Sequence, residues 1–179
     1  MQINAIELGR LNFYRASELH GGLVLGQLVK RVRDGDLMLS LTRHSAEEVM
    51  HAQLWTEAIL AVGGRPAPVR DTYQRRLAHR LGAPSSVFQV LALTQVFERR
   101  VYRHFIYHAR LHETHPVVRA CLERMIEEEK GHLSWVQEWL AEEGQRRGVD
   151  VRTVMNTYAA ADTAVYHELM LEHRFLRAA

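Results

Sequence analysis

The apolar residues of this chain recur at intervals of three and four positions, the period of an α-helix, over five long segments. The predicted helices span residues 6–32, 37–62, 86–112, 117–143 and 151–176. Between the first two, Asp34-Gly35-Asp36 is a turn signal, and we expect Asp36 to cap the second helix. Gly63-Gly64 ends that helix. The pattern therefore predicts an all-α protein with a single domain over residues 1–179.

The segment between the second and third helices differs in composition. Residues 65–84 contain three of the four prolines, and we expect them to cross from one helical pair to the other. The middle of this segment, residues 69–81, is predicted to form a short amphipathic helix. Ser85 or Ser86 is expected to cap the third helix, and Gly144 and Gly148 bracket the end of the fourth.

Two helices carry the same pair of polar residues on their apolar faces. Glu48 and His51 lie three positions apart on the second helix, and Glu129 and His132 repeat this spacing on the fourth. Residues three apart share one face of a helix, so each pair can present a carboxylate and an imidazole to the same metal ion. A single pair is weak evidence, because both residue types are common on solvated helices. The repetition makes a metal site the better interpretation.

Single glutamates interrupt the apolar faces of the other two helices. Glu18 lies thirty residues before Glu48, and Glu98 lies thirty-one before Glu129, with a predicted turn midway in each interval. If the helices fold back antiparallel, each glutamate stands about 23 Å from its turn at the helical rise of about 1.5 Å per residue. All four glutamates are therefore expected at one level of the fold.

Four carboxylates in an apolar interior need a counter-charge, because each loses hydration at a cost of several kcal/mol. Two divalent cations would supply four positive charges. Carboxylate and imidazole ligands suit iron or manganese, and zinc accepts them too. The single cysteine, Cys121, excludes an intramolecular disulfide and any cysteine-ligated cluster.

At this point the chain resembles the ferritin-like di-iron carboxylate proteins, which take one Glu from each of two helices and a Glu-x-x-His from each of the other two. The matching residues are Glu18, Glu48, His51, Glu98, Glu129 and His132. The resemblance implies an antiparallel four-helix bundle with a long crossover and an additional C-terminal helix. It also implies two iron ions, with manganese, a mixed manganese–iron pair, or zinc in the purified protein as alternatives. Glu48 and Glu129 would bridge the metals, with Glu18 and Glu98 as terminal ligands beside His51 and His132.

Four neighbours of these residues are further candidates. Glu47 and Glu128 directly precede the bridging glutamates, and each is expected to accept a hydrogen bond from the histidine across the bundle or to lie solvated at the surface. Tyr14 and Tyr102 lie four residues from Glu18 and Glu98. Either is a hydrogen-bonding or redox-active neighbour or, as we favour, a core tyrosine whose hydroxyl is satisfied.

Three glycines lie in the second half of the first helix, where each costs about 1 kcal/mol relative to alanine. They are Gly21, Gly22 and Gly26. Close helix packing is the favoured explanation, with room for a ligand as the alternative. On the third helix, His104, His108 and His112 recur every four residues, and the arginines around them favour a solvated face over a surface metal site.

The resemblance implies a non-haem di-iron oxidoreductase that activates O2 or peroxide. The first hypothesis is an oxygenase that acts on a small organic substrate and receives electrons from an external donor. The alternatives are a ferroxidase of ferritin type and a metal-free helical interaction protein. Val101 occupies the position at which rubrerythrins have a further Glu. Val49 occupies the position at which bacterioferritins have a haem-binding Met. A monomer or homodimer would fit the oxygenase, and a large hollow oligomer the ferroxidase.

Charge and hydropathy suggest few other partners. The formal net charge is +2, and the arginines are scattered, so no nucleic acid partner is expected. The N-terminus lacks the pattern of a signal peptide, and no run of about eighteen apolar residues predicts a membrane span. A cytoplasmic location is therefore expected.

Overall fold

The computed structural model of the chain describes residues 3–172. Within this part the chain forms six α-helices and no strand, which confirms the predicted all-α class. The helices are α1 (Ala5–Val29), α2 (Gly35–Ala61), α3 (Tyr73–Leu81), α4 (Val87–Arg110), α5 (Pro116–Arg147) and α6 (Val151–Glu172). The last predicted helix was expected to reach residue 176, and its final residues lie outside the described part. No described helix is both long enough and apolar enough to traverse a bilayer.

Two predicted helix ends need correction. The N-terminal cap of α2 is Asp34 rather than Asp36, because the extended backbone of Asp34 lets its side chain accept a hydrogen bond from the backbone N–H of Leu37 at 2.8 Å. Helix α5 ends at Arg147 rather than at residue 143, and Gly148 caps it in the left-handed conformation with φ of 64°, so the end does lie between Gly144 and Gly148. Ser86, one of the two expected caps, does accept from the N–H of Gln89.

Two apolar clusters show how the long helices run. The Trp55 cluster includes Leu11, Trp55, Phe105 and Leu122, and the Leu91 cluster includes Leu25, Leu41, Leu91 and Val136. Helix α1 passes from the Trp55 cluster to the Leu91 cluster, and α2 passes back, so these two helices run in opposite directions. Likewise, α5 passes from the Trp55 cluster to the Leu91 cluster and α4 passes in the opposite direction. We call α1 with α2 the first hairpin and α4 with α5 the second.

The two hairpins meet where α2 packs against α5, and α3 and α6 lie outside them. Helix α6 packs against both α3 and α4. Arg76 and Arg80 on α3 form ion pairs with Glu172 and Glu168 on α6, and the hydroxyl of Tyr73 donates to the carbonyl of Asp162 at 3.3 Å. The crossover segment is thus anchored by the last helix.

The glycines of α1 explain how closely the first hairpin packs. A Cβ atom at Gly22 would lie 2.8 Å from Cγ2 of Val49 and 3.0 Å from the carbonyl oxygen of Ser45. A Cβ at Gly26 would lie 3.1 Å from the Ser45 hydroxyl, which itself donates to the carbonyl of Gly22 at 2.8 Å. Close packing, the favoured explanation, therefore accounts for these two positions.

Candidate metal centre

The six predicted ligands lie together between the two apolar clusters. Their burial is nearly complete, since none of the six side chains belongs to a residue more than 4% exposed. They are Glu18, Glu48, His51, Glu98, Glu129 and His132. Each lies in an uninterrupted stretch of helix, so the three-residue spacing of the two Glu–His pairs keeps both members on the inner face.

Glu129 lies between His51 and His132, the histidines of the two predicted Glu–His pairs. Its Oε1 atom lies 3.3 Å from Nδ1 of His51, and its Oε2 atom lies 3.3 Å from Nδ1 of His132. One oxygen is therefore turned toward each imidazole. This is the position from which a carboxylate can serve two metal ions at once.

The remaining carboxylates are distributed over the two sides. Glu18 Oε2 lies 3.6 Å from Nδ1 of His51, and Glu48 Oε1 lies 3.2 Å from Nδ1 of His132. Glu98 has a ligand atom within 4.8 Å of one on His132, but its closest contact is with another residue. Its Oε1 atom is 3.0 Å from Nε2 of His44 instead.

His44 is a member of the cluster that the sequence reasoning missed. It is only 1% exposed, and its Nε2 atom lies 3.2 Å from Oε1 of Glu48 as well as beside Glu98. Its ring stacks on that of His132 at 3.8 Å between centroids. The signal was present one helical turn before Glu48, as the spacing His44-x-x-x-Glu48-x-x-His51 on one face.

Two overlapping groups of buried side chains have ligand atoms close enough to hold a cation. In each group, the atoms all lie within 4.8 Å of one another. The groups are His44, Glu48, Glu98 and His132, and Glu48, His51, Glu129 and His132. They share Glu48 and His132. Glu18 belongs to neither, although it lies beside His51.

Burial and close contact shift the titration of these groups in opposite directions. Burial raises the pKa of Glu18 well above its ordinary value and also raises that of Glu98. Burial acts in the same sense on Glu48 and Glu129, but hydrogen bonds with His132 and a second histidine outweigh it and lower their pKa values. The carboxylates that lie between imidazoles are thus the ones held ionised.

The histidines respond in the complementary way. Burial acts to lower the pKa of His51, but the carboxylates of Glu129 and Glu18 raise it to about 11. For His132, Glu129 and Glu48 likewise overcome burial and raise the pKa to about 12. Without a metal, protonated imidazoles thus balance the buried carboxylates. A metal ion that takes their place must displace those protons.

The outer nitrogens of the two predicted histidines make the expected contacts across the fold. Nε2 of His51 lies 2.9 Å from Oε2 of Glu128, and Nε2 of His132 lies 2.9 Å from Oε2 of Glu47. Both acids are partly exposed, and Glu128 also accepts from the guanidinium of Arg124 at 2.8 Å. They therefore lie at the boundary between the cluster and solvent.

The two tyrosines differ. Tyr14 is buried, packs edge-on against Phe105, and places its hydroxyl 3.4 Å from Nδ1 of His108. A core role with a satisfied hydroxyl, the favoured interpretation, is confirmed for Tyr14. Tyr102 is half-buried and forms no hydrogen bond to another residue in the described part. His108 is itself buried, 2.7 Å from Glu7, so the prediction of a solvated histidine face was wrong at this position.

Comparisons with protein-family models, with curated proteins and with solved structures found no match for this chain. The described residues form an all-α structure with a buried Glu/His cluster that could hold metal ions.

Proposed function

We propose that the chain is a ferritin-like di-iron carboxylate protein, in which α1, α2, α4 and α5 form an antiparallel four-helix bundle. The crossover between the hairpins carries α3, and α6 is the additional C-terminal helix. The alternating direction of the four long helices between the Trp55 cluster and the Leu91 cluster supports this architecture. So does the position of the polar cluster midway between those apolar clusters.

The donor set fits two iron ions. Four carboxylates and three imidazoles are buried in one cluster, and they are the ligands that iron and manganese accept. The buried atoms of the set that have no hydrogen-bond partner among the described residues include Nδ1 of His51 and Oε2 of Glu98. Orphaned buried polar atoms are costly unless a ligand or ion satisfies them. A cation would satisfy both.

The proposed ligand set extends the sequence prediction by one residue. Glu48 and Glu129 would bridge the two metals, Glu18 and His51 would serve one of them, and Glu98 and His132 would serve the other. His44 joins the second set, because it touches Glu98 and Glu48. The observation that carries the proposal is the Glu129 carboxylate, which has one oxygen turned toward each of the two histidines.

As a function, we propose a non-haem di-iron oxidoreductase that uses O2 or peroxide, acting as an oxygenase on a small organic substrate. When bound, the metal pair would supply electron transfer to O2 or peroxide. The chain's own residues exclude bulk water from the centre and fix the imidazoles through Glu47 and Glu128. With one cysteine in the chain, electrons would come from a separate protein donor.

Metal analysis tests this proposal. Purified protein reconstituted with ferrous iron should hold two irons per chain, and its optical spectrum should change on adding O2 or peroxide. Glu129→Ala should lose most of both metals, because a bridging ligand serves two ions. Glu127→Ala is the matched control, since Glu127 is exposed and pairs with Lys130 instead.

Two results would count against the proposal. If Glu129→Ala retained two metals per chain, Glu129 would not bridge. If wild-type protein bound no transition metal, the metal-free interaction protein would be the better description. Sedimentation analysis separates the two metal-dependent functions, because a large hollow oligomer would favour a ferroxidase whose substrate is iron itself.

A further inference from the structure

We propose that an apolar cavity beside Glu48 and Glu98 binds an uncharged organic molecule about the size of one aromatic ring. The inference rests on the proposed function in one respect only, namely that this molecule would be the substrate of the metal centre. The cavity itself is a property of the fold and has a volume of about 160 Å³.

The apolar wall of the cavity comes from three helices. Val24 on α1, Leu77 and Ala78 on α3, and Leu93 and Phe97 on α4 supply most of its apolar surface. Helix α3 belongs to the crossover, so the crossover closes a space that the two hairpins leave open. An apolar wall of this kind favours a ligand without charge.

The inner end of the cavity reaches the candidate metal centre. Glu48 and Glu98 are both part of its lining. Gly21 also lines it, and a Cβ atom at this position would lie 2.8 Å from Oε2 of Glu48. The missing side chain therefore leaves the Glu48 carboxylate open toward the cavity. A ligand held here would lie directly beside the residues proposed to bind metal.

The volume limits what can bind. An engineered protein cavity of about 150 Å³ lined by apolar residues is known to take up benzene. The present cavity matches that size, so it fits one six-membered ring with a small substituent, and it is too small to enclose a nucleotide. An anionic ligand is disfavoured, because Glu48 and Glu98 face it at the inner end.

A route from solvent adjoins the cavity. A surface groove of about 340 Å³ shares four lining residues with it, namely His20, Val24, Pro84 and Val90. The groove continues over Leu23, whose side chain belongs to a residue that is 60% exposed. An apolar molecule can thus approach over apolar surface before it enters.

Benzene is the probe for the test. Its binding to metal-free protein is measured by calorimetric titration or by ligand-observed NMR. Ala78→Phe places a ring inside the cavity and should weaken benzene binding at least tenfold. His79→Phe is the matched control, because His79 is the next residue of α3, is exposed and does not line the cavity. It should bind benzene as wild type does.

Val24→Trp is a second filling variant, on α1 rather than α3, and circular dichroism verifies that each variant is folded. Equal benzene binding by wild type and by a folded filling variant would overturn the inference, as would no binding by wild type. Iron content is measured in parallel. Benzene binding by a protein that takes up no iron on reconstitution would refute the proposed metal function alone, whereas iron uptake without benzene binding would refute the cavity proposal alone.

Discussion

Nε2 of His51 lies 2.9 Å from Oε2 of Glu128, which belongs to the opposite hairpin. An ionised carboxylate can only accept, so Nε2 carries a proton with or without a metal, and Nδ1 faces the buried glutamates. Oε2 of Glu47 likewise accepts a hydrogen bond from Nε2 of His132 at 2.9 Å. Two partly exposed acids thus set the orientation of two fully buried rings.

Removing one of these acids should weaken metal binding while the ligands themselves remain. We expect Glu128→Ala to reduce iron affinity by about 10–100-fold, because the ring of His51 loses its orienting partner. Competition with a chelator measures the affinity. Glu127→Ala, one position away and exposed, should bind iron as wild type does. Equal affinities for Glu128→Ala and wild type would show that Glu128 is only a surface acid.

His44 should matter for one metal and not the other. We expect His44→Phe to lower the iron content from two toward about one per chain, since His44 touches Glu98 and Glu48 but lies on the side away from His51. Phenylalanine keeps a ring to stack on His132. The control is His167→Phe on an exposed position. Full occupancy in His44→Phe would remove His44 from the ligand set.

Two glycine-to-alanine substitutions should have different outcomes. Gly131→Ala places its methyl group where no atom lies within 4 Å, so it should stabilise α5 by up to about 1 kcal/mol in urea unfolding. Gly21→Ala gains the same helix propensity but pushes its Cβ against the Glu48 carboxylate. Iron affinity should therefore fall about tenfold or more for Gly21→Ala and stay constant for Gly131→Ala. A drop in both would indicate a general effect on the helices.

The stability of the protein should depend on pH through His104. Burial, assisted by the charges of Arg100, Arg10 and His108, lowers the pKa of His104 to about 4 from an ordinary value of 6.5. The ring packs edge-on against Tyr166. Below about pH 6.5 the unfolded chain binds a proton that the folded chain resists, so the free energy of unfolding falls as the pH drops toward 4. The loss is at most about 3 kcal/mol.

Urea unfolding at pH 7.5 and pH 4.5 measures this effect. His104→Phe should lose less stability between these two values than wild type, because its contribution no longer titrates. His167→Phe, at an exposed position, should follow wild type. The prediction fails if His104→Phe and wild type lose the same free energy over this interval.

The sequence predicted the long helices and the convergence of six buried residues, because both depend on periodicity and on distances from turns. Glu18, Glu48, Glu98 and Glu129 fall at one level since helical rise is constant. Helix ends were less predictable. Asp34 and Asp36 are chemically equivalent, and only the backbone conformation decides which one caps α2.

Features that depend on contacts between distant segments were out of reach of the sequence. The spacing of His44 from Glu48 places both on one face of α2, but only the contact with Glu98 on α4 makes His44 a member of the cluster. The burial of His108 depends in the same way on Glu7 and Tyr14 from α1. The cavity required α3 to be placed against α1 and α4, which the helical period does not determine.

The crossover helix that completes the cavity is fastened to α6 through ion pairs of Arg76 and Arg80 with two partly exposed glutamates. Attraction between such charges weakens as dissolved ions screen it. Leu77 and Ala78 lie on that same helix and form the part of the cavity wall that neither hairpin supplies. Ionic strength should therefore affect how firmly this part of the wall is held. We therefore expect the exchange of small molecules with the cavity to depend on ionic strength, while interactions of the buried carboxylates are screened less.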